Sequence, residues 1–308
     1  MTITLKQMVE AGMHLGHRTN KWNPKMKPYI YKEENNIHIV DLIQTFSHTI
    51  EALKFVEKES AIGKTVMFVG TKVAAKNSIA KMARKCDSFY VNEKWVGGIL
   101  TNWDTFKKLT GKLLLLERQE RNGFLEKLPK KERSKKLKEK EKLARLFTGI
   151  KYMKKLPDIV IIVGQPKELN ALNECNRLNI RSITLVDTDC NPTIADLIIP
   201  ANDDSVSAIK LLLNEFAIAI TEGQIVFEAK MKHQKQQKHQ NKKQYNRQNK
   251  FGRKRFTKNT NNKKGASQSK TKTAPKNKTK PVQLPKPVLL EKPKRVQLDE
   301  SKPVDEVK

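Results

Sequence analysis

An α/β fold built on a parallel sheet is the architecture this sequence predicts, and three observations predict it. Short runs rich in Val and Ile recur along the chain. Segments whose apolar residues fall at spacings of three and four separate them. The runs are nearly continuous rather than alternating, as strands covered on both faces require. Strand and helix in repeated alternation imply parallel neighbours joined by right-handed crossovers.

The elements follow in order. Residues 37–40, 66–69, 89–91, 159–163, 183–186 and 197–199 read as the strands. Ile43, Phe46, Ile50 and Leu53 mark the apolar face of the first long helix, and residues 73–85, 167–179 and 204–222 read as helices too. Residues 102–148 break the alternation, because they are nearly all helix formers with no strand among them. Phe106, Leu109, Leu113 and Leu116 form a narrow heptad-like seam in its first half. Asn122-Gly123 can end that helix in a left-handed residue, and Pro129 suits the start of the next. Leu137, Ala144 and Phe147 give the second half an apolar edge, and Gly149 ends it. Glu117–Arg121, Glu132–Lys136 and Glu141–Arg145 have the favourable i,i+4 orientation. The segment predicts an antiparallel helical hairpin projecting from the α/β body, each arm roughly 27 Å long at 1.5 Å per residue.

Charge divides the chain in two. Of 308 residues, 62 are Lys or Arg and 32 are Asp or Glu, a formal net of +30. Residues 1–229 hold 37 basic and 27 acidic side chains, a net of +10. Residues 230–308 hold 25 and 5, a net of +20. The first part has enough Ile, Leu and Val for a core. The second is dominated by Lys, Gln and Asn and then by Lys-Pro steps, cannot offset its own ordering entropy, and is expected to be a disordered basic tail. An anionic partner is implied, nucleic acid first. The chain is too polar for an integral membrane protein. Cys86, Cys175 and Cys190 are odd in number and widely scattered, which argues against a disulfide framework and points to a reducing compartment. Residues 1–16 carry neither a secretory nor a transit signal, so the expectation is a protein that works where it is made.

The motifs argue against catalysis. Gly63-Lys64-Thr65 resembles the end of a phosphate loop, but Lys58 stands where its first glycine belongs and the triplet precedes a strand. Gly70-Thr71-Lys72 follows a strand and opens a helix but lacks the other glycines of a dinucleotide fingerprint. It reads as a tight turn that could still hold a phosphate, an RNA phosphate included. His14 and His17, three apart, could share a helical face, but no further metal ligands stand at a recognisable spacing, so no metal or other cofactor is expected. Asp187, Asp189, Asp203 and Asp204 fall at the carboxyl edge of the predicted sheet without a nucleophile and base beside them. Asp203 and Asp204 are read as caps of the following helix, with a bound cation left open. A nucleotide-dependent enzyme on that edge is the competing class. A free RNA-binding protein working through its tail is a third reading.

Residues 17–27, His-Arg-Thr-Asn-Lys-Trp-Asn-Pro-Lys-Met-Lys, interleave cations with an aromatic and amides, the composition of phosphate contacts plus base stacking. Residues 126–145 hold ten basic and four acidic side chains, enough for an RNA-facing edge on the hairpin.

Several blocks resemble the S-two family of small-subunit ribosomal proteins. They are Met8-Val9-Glu10-Ala11-Gly12-Met13-His14-Leu15-Gly16-His17, Lys21-Trp22-Asn23-Pro24-Lys25-Met26 and Lys94-Trp95-Val96-Gly97-Gly98-Ile99-Leu100-Thr101-Asn102-Trp103. Leu156-Pro157-Asp158-Ile159-Val160-Ile161, Asp187-Thr188-Asp189-Cys190-Asn191-Pro192 and Ile199-Pro200-Ala201-Asn202-Asp203-Asp204 complete the series, in the family's order. Asn102-Trp103, residues 149–153 and the Lys, Asn and Ile bias are similar to plastid members, with an A+T-rich bacterium as the competing source.

The resemblance implies a flavodoxin-like, Rossmann-like parallel sheet flanked by helices with a protruding helical hairpin, over residues 1–229. It implies no enzyme activity. It implies a structural protein of the small ribosomal subunit at the neck between head and body, bound to small-subunit ribosomal RNA and near other small-subunit proteins, the S-one protein among them where it exists. No membrane and no homo-oligomer are expected, and the location is the ribosome of the plastid (chloroplast) stroma or, alternatively, of a bacterial cytoplasm. From charge and position, the candidate RNA-binding residues are His17, Arg18, Lys21, Trp22, Asn23, Lys25, Lys27, Lys94 and Trp95. On the hairpin they are Lys130, Lys131, Lys135, Lys136 and Lys138.

Overall fold

The computed structural model describes the backbone of residues 3–258 and the side chains to residue 234. The chain divides into a unit of Met1–Asn246 and a unit of Arg247–Lys308. In the first, helix α1 (Leu5–Glu10) opens on a capping box in which the Thr4 hydroxyl and the Gln7 amide each serve the other's backbone N–H. Strands β1 (Leu15–Arg18), β2 (Ile30–Glu34) and β3 (Ile37–Val40) form an antiparallel sheet in the order β1-β3-β2. Helix α2 (Leu42–Ser60) then leads into the main sheet.

That sheet is parallel. Its strands are β4 (Val66–Val69), β5 (Phe89–Val91), β6 (Ile159–Val163), β7 (Arg181–Val186) and β8 (Leu197–Pro200), in the order β5-β4-β6-β7-β8. Every residue of β4 and β6 is buried, and alternate side chains enter different cores. Val66, Phe68, Ile159, Ile161 and Val163 join the core beneath α2, helix α3 (Val73–Lys85) and the start of helix α7 (Val206–Lys258). Met67, Val69, Val160 and Ile162 join the other, beneath helices α4 (Trp103–Arg121) and α6 (Leu169–Leu178). Two-sided burial is why these runs lack a polar alternation.

Two expectations change here. Residues 37–40 are a strand, but they pair antiparallel in the small sheet rather than parallel in the large one. A hairpin turn at Asn35-Asn36, both at positive φ (51° and 61°), returns the chain from β2 and fixes that direction. The α2 face also differs: Thr45, Thr49, Ala52, Leu53 and Val56 are buried, while Ile43 is 71% exposed. Thr45 and Thr49 can turn inward because their hydroxyls donate to Pro200 O and Thr45 O.

The helical hairpin is α4 followed by α5 (Lys130–Phe147), with Gly123 at φ +67° in the turn and Pro129 just before α5. Phe106 and Phe147 meet edge to face at 5.6 Å at its base. The ion pairs do not run along each arm as expected but join across. Glu120 takes Lys140, Glu139 takes Lys112, and Glu117 takes Lys151 beyond the second arm. Antiparallel packing sets those heads opposite one another.

Helix α7 runs through the boundary expected at residue 229 and on to Lys258. Lys and Gln favour helix, no Pro interrupts before Pro275, and a helix already nucleated on a core propagates at little further entropic cost. The remainder of the predicted tail, 259–308, lies outside the described residues. Among the described residues no helix is long and apolar enough to cross a membrane.

Candidate RNA-binding surface and carboxylate cluster

The segment of residues 11–23 is stitched to the carboxyl edge of the parallel sheet. The Ser205 hydroxyl donates to Ala11 O, Asn202 donates from Nδ2 to Gly12 O and from its backbone N–H to Met13 O, and Asn23 N–H donates to Thr188 O. His17 N–H donates to the Thr188 hydroxyl at 2.9 Å. Gly16 permits the approach: a Cβ there would stand 2.6 Å from Thr188 Cγ2 and 3.0 Å from His38 O.

This stitching turns His17 inward, among acids. Its Nδ1 lies 3.1 Å from Asp187 Oδ1, and its Nε2 lies 3.4 Å from Asp204 Oδ2 and 3.9 Å from Asp189 Oδ2. Asp187 beside the ring raises the His17 pKa to about 9 against the opposing effect of burial. Burial and the neighbouring Asp187 push Asp203 up to about 6, although Lys72 draws it down. Burial works against the Lys72 charge, yet Asp203 and Asp204 prevail and hold it at about 12. His17 therefore faces carboxylates rather than an RNA backbone, contrary to the expectation for it. It lies on a strand, not on a helix with His14.

The turn after β4 has its donors engaged within the protein. Thr71 donates both its N–H and its hydroxyl to Glu168 Oε1, at 2.9 and 2.5 Å. Lys72 spends its ammonium on Asp203 and Asp204. The strand order reverses between β4 and β6, where an open α/β sheet offers its ligand crevice. The Lys72 stem crosses it, so closely that a Cβ on Gly164 would stand 3.0 Å from Lys72 Cδ. Gly63-Lys64-Thr65 is likewise a turn, with Lys64 paired to Glu59 and Thr65 bound to Asp158. Nor do Asp203 and Asp204 cap α7. Asn202 Oδ1 accepts from the N–H groups of Asp204 and Ser205, and the Ser205 hydroxyl accepts from Ala208 N–H.

Trp95 is also corrected. It is 8% exposed, and its indole N–H donates to Glu174 Oε1 at 3.0 Å, so it cannot stack on a base. Glu174, buried on α6, accepts in addition from Gly98, Leu100 and Thr101 N–H and from the Thr101 hydroxyl. Burial opposes its charge, but these donors outweigh it and hold the carboxyl below its ordinary value. Glu174 thereby organises the 95–101 loop, which exposed Lys94 immediately precedes. The signal for it was present: a lone acid between Leu172 and Cys175 on the apolar face of a helix.

The other candidates are on the surface. Arg18, Lys21, Lys25 and Lys27 are exposed, and Trp22, 36% exposed, rests against His38 at 5.2 Å. Asn23 caps the short helical turn after it through Lys25 N–H, which occupies its carbonyl. On α5, Lys130, Lys131, Lys135 and Lys138 are exposed, and among the described residues none of the four enters an ion pair. Lys136 lies 5.6 Å over the Phe124 ring. The three cysteines are buried thiols, with Cys175 pushed up to about 12 by burial.

Fold and surface define an α/β domain with a cationic helical arm and an inward-facing histidine–carboxylate cluster at the sheet edge. A family model described as Ribosomal protein S2 matches residues 8–223. The chain is 50% identical over 235 residues, 76% of this chain and 99% of the relative, to "Small ribosomal subunit protein uS2c" of Oltmannsiellopsis viridis. It is 48% identical to the protein of that name in Guillardia theta, over 74% of this chain and 97% of the relative. It is 48% identical to "Small ribosomal subunit protein uS2" of Synechococcus sp. (strain JA-2-3B'a(2-13)), over 72% and 84%. The chain belongs to the ribosomal protein S2 family.

Proposed function

We propose that this protein is a structural component of the small ribosomal subunit of a plastid, with no catalytic role. The bacterial cytoplasm is the alternative setting, since relatives of both kinds match. In this reading it docks on small-subunit RNA by charge and shape. The observation that carries the docking surface is the face of α5 on which Lys130, Lys131, Lys135 and Lys138 stand exposed and outside the ion pairs that join the arms. Such cations can each displace a counterion from a phosphate. Arg18, Lys21, Trp22, Lys25 and Lys27 form a second cationic patch with one aromatic ring at its centre. Neighbouring small-subunit proteins, the S-one protein among them, complete the setting, and the chain enters it as a monomer.

Sedimentation of a native lysate after a moderate salt wash tests the function: the protein should travel with small subunits. Hydroxyl-radical footprinting of reconstituted small subunits tests the surface. Protection of the two patches supports it, and labelling there as strong as in the free protein sinks it.

A further inference from the structure

We propose that the tip of the helical hairpin holds a pocket for one unstacked nucleotide of RNA. Phe124 stacks on the base, Gln119 and Asn122 meet its edge, and Arg118 and Lys127 take the flanking phosphates. The inference rests on the reading that the hairpin faces RNA, and it names what the tip receives. A cavity of about 380 Å³ opens there, lined by these five residues and Leu115. Small-ligand sites begin at roughly 300 Å³.

The backbone builds the pocket. Leu115, Arg118, Gln119 and Asn122 stand at spacings of three and four, on one face of the end of α4. Leu113 and Leu116, on a neighbouring face, are buried. Gly123 at φ +67° then reverses the chain, and the short helical turn Phe124–Lys127 follows, with Leu125 buried. Leu115 is 53% and Phe124 46% exposed, so packing of the two arms leaves both apolar side chains uncovered. Lys136 of the second arm stands 5.6 Å over the Phe124 ring and steadies it. Such a ring is a stacking platform for a splayed base.

The polar groups around the cavity are unspent. Among the described residues, the side chains of Arg118, Gln119, Asn122 and Lys127 enter no ion pair or hydrogen bond. No carboxylate lines the cavity. Glu117 and Glu120, beside Arg118 on α4, are paired with Lys151 and Lys140. An acidic peptide would also meet the two cations. A nucleotide fits better, because each amide offers a donor beside an acceptor, as the edge of a base does. The end of α4 carries partial negative charge, so a phosphate settles on Arg118 and Lys127 rather than on the helix terminus.

The test measures the affinity of the full-length chain for small-subunit RNA. Phe124→Ala should weaken it roughly 5- to 150-fold with the salt dependence of wild type. Phe124→Trp should keep wild-type affinity. Phe124→Leu, which retains apolar bulk without a ring, should fall with Phe124→Ala. Arg118→Gln with Lys127→Gln should make the slope of log K against log salt shallower by roughly 1.4–1.8. The variant with Lys130, Lys131, Lys135 and Lys138 replaced by Gln runs beside these. If that variant binds weakly while Phe124→Ala binds as wild type, the pocket is overturned and the RNA-facing arm stands. If both bind as wild type, both readings fall. Unchanged RNA affinity with lost retention on small subunits assigns the tip to a protein partner and overturns the nucleotide. If the Phe124 variants lose the hairpin, Gln119→Ala decides, since it keeps a helix former at that position. Weaker binding at an unchanged urea midpoint supports the pocket, and equal binding refutes it.

Discussion

Glu174 on α6 accepts the indole N–H of Trp95, 79 residues earlier, at 3.0 Å, and gathers four more donors from the same loop. An amide in its place offers one acceptor oxygen and turns an NH2 toward groups that also donate. Glu174→Gln should therefore cost about 3 kcal/mol, read from urea midpoints. The sign of the pH effect follows. The folded pKa is depressed below 4.5, so the stabilisation is present above the unfolded value and is lost as pH falls through the folded one. The gap between wild type and Glu174→Gln should close on acidification below about pH 4.5. A gap constant from pH 7 down to 3 would mean that the charge contributes nothing.

What the sequence disclosed follows from periodicity. The parallel strands were legible because burial on both faces leaves an unbroken apolar run, as in Ile159–Val163. The hairpin was legible through the Phe106–Leu116 seam and Gly123. Strand β2 was not, because all but its first residue are exposed and no alternation marks it. The site divided in the same way. Exposed cations such as Lys21 and Lys131 follow from composition alone. The inward turn of His17 depends on Gly16 meeting Thr188, 172 positions away, a relation no local pattern carries.

Lys72 is the only ammonium among the described residues that pairs with Asp203, which is fully buried. Lys72→Met should cost about 3–5 kcal/mol, because it leaves a buried carboxylate uncompensated. Lys72→Met with Asp203→Asn should cost less than the sum of the two, with a coupling of about 1–3 kcal/mol in urea unfolding. Strict additivity would show that the pair is not an interacting unit.

Gly16 is the close-approach point between the two sheets. Gly16→Ala places a methyl against Thr188 Cγ2 and the backbone oxygen of His38 and should cost about 1–3 kcal/mol. Thr188→Ser removes the Cγ2 methyl but keeps the hydroxyl that accepts from His17 N–H, so it should recover part of the loss in the double variant. Hydrogen exchange should report the loss first in residues 15–18 and 37–40. Equal protection there in wild type and Gly16→Ala would refute a closely packed junction.

The hairpin arm separates binding from stability. Replacing Lys130, Lys131, Lys135 and Lys138 together by Gln keeps helix-forming residues at exposed positions outside the cross-arm ion pairs. Unfolding free energy should change by no more than about 0.5 kcal/mol per site. Affinity for small-subunit RNA should fall, and the slope of log K against log salt should become shallower by roughly 3 if each lysine meets a phosphate. Lys136 is left in place because its ammonium lies over Phe124 and helps hold the tip. An unchanged slope with an unchanged fold would assign the RNA contact to the patch around Trp22, where the same substitution series on Arg18, Lys21, Lys25 and Lys27 should then reproduce the missing salt dependence.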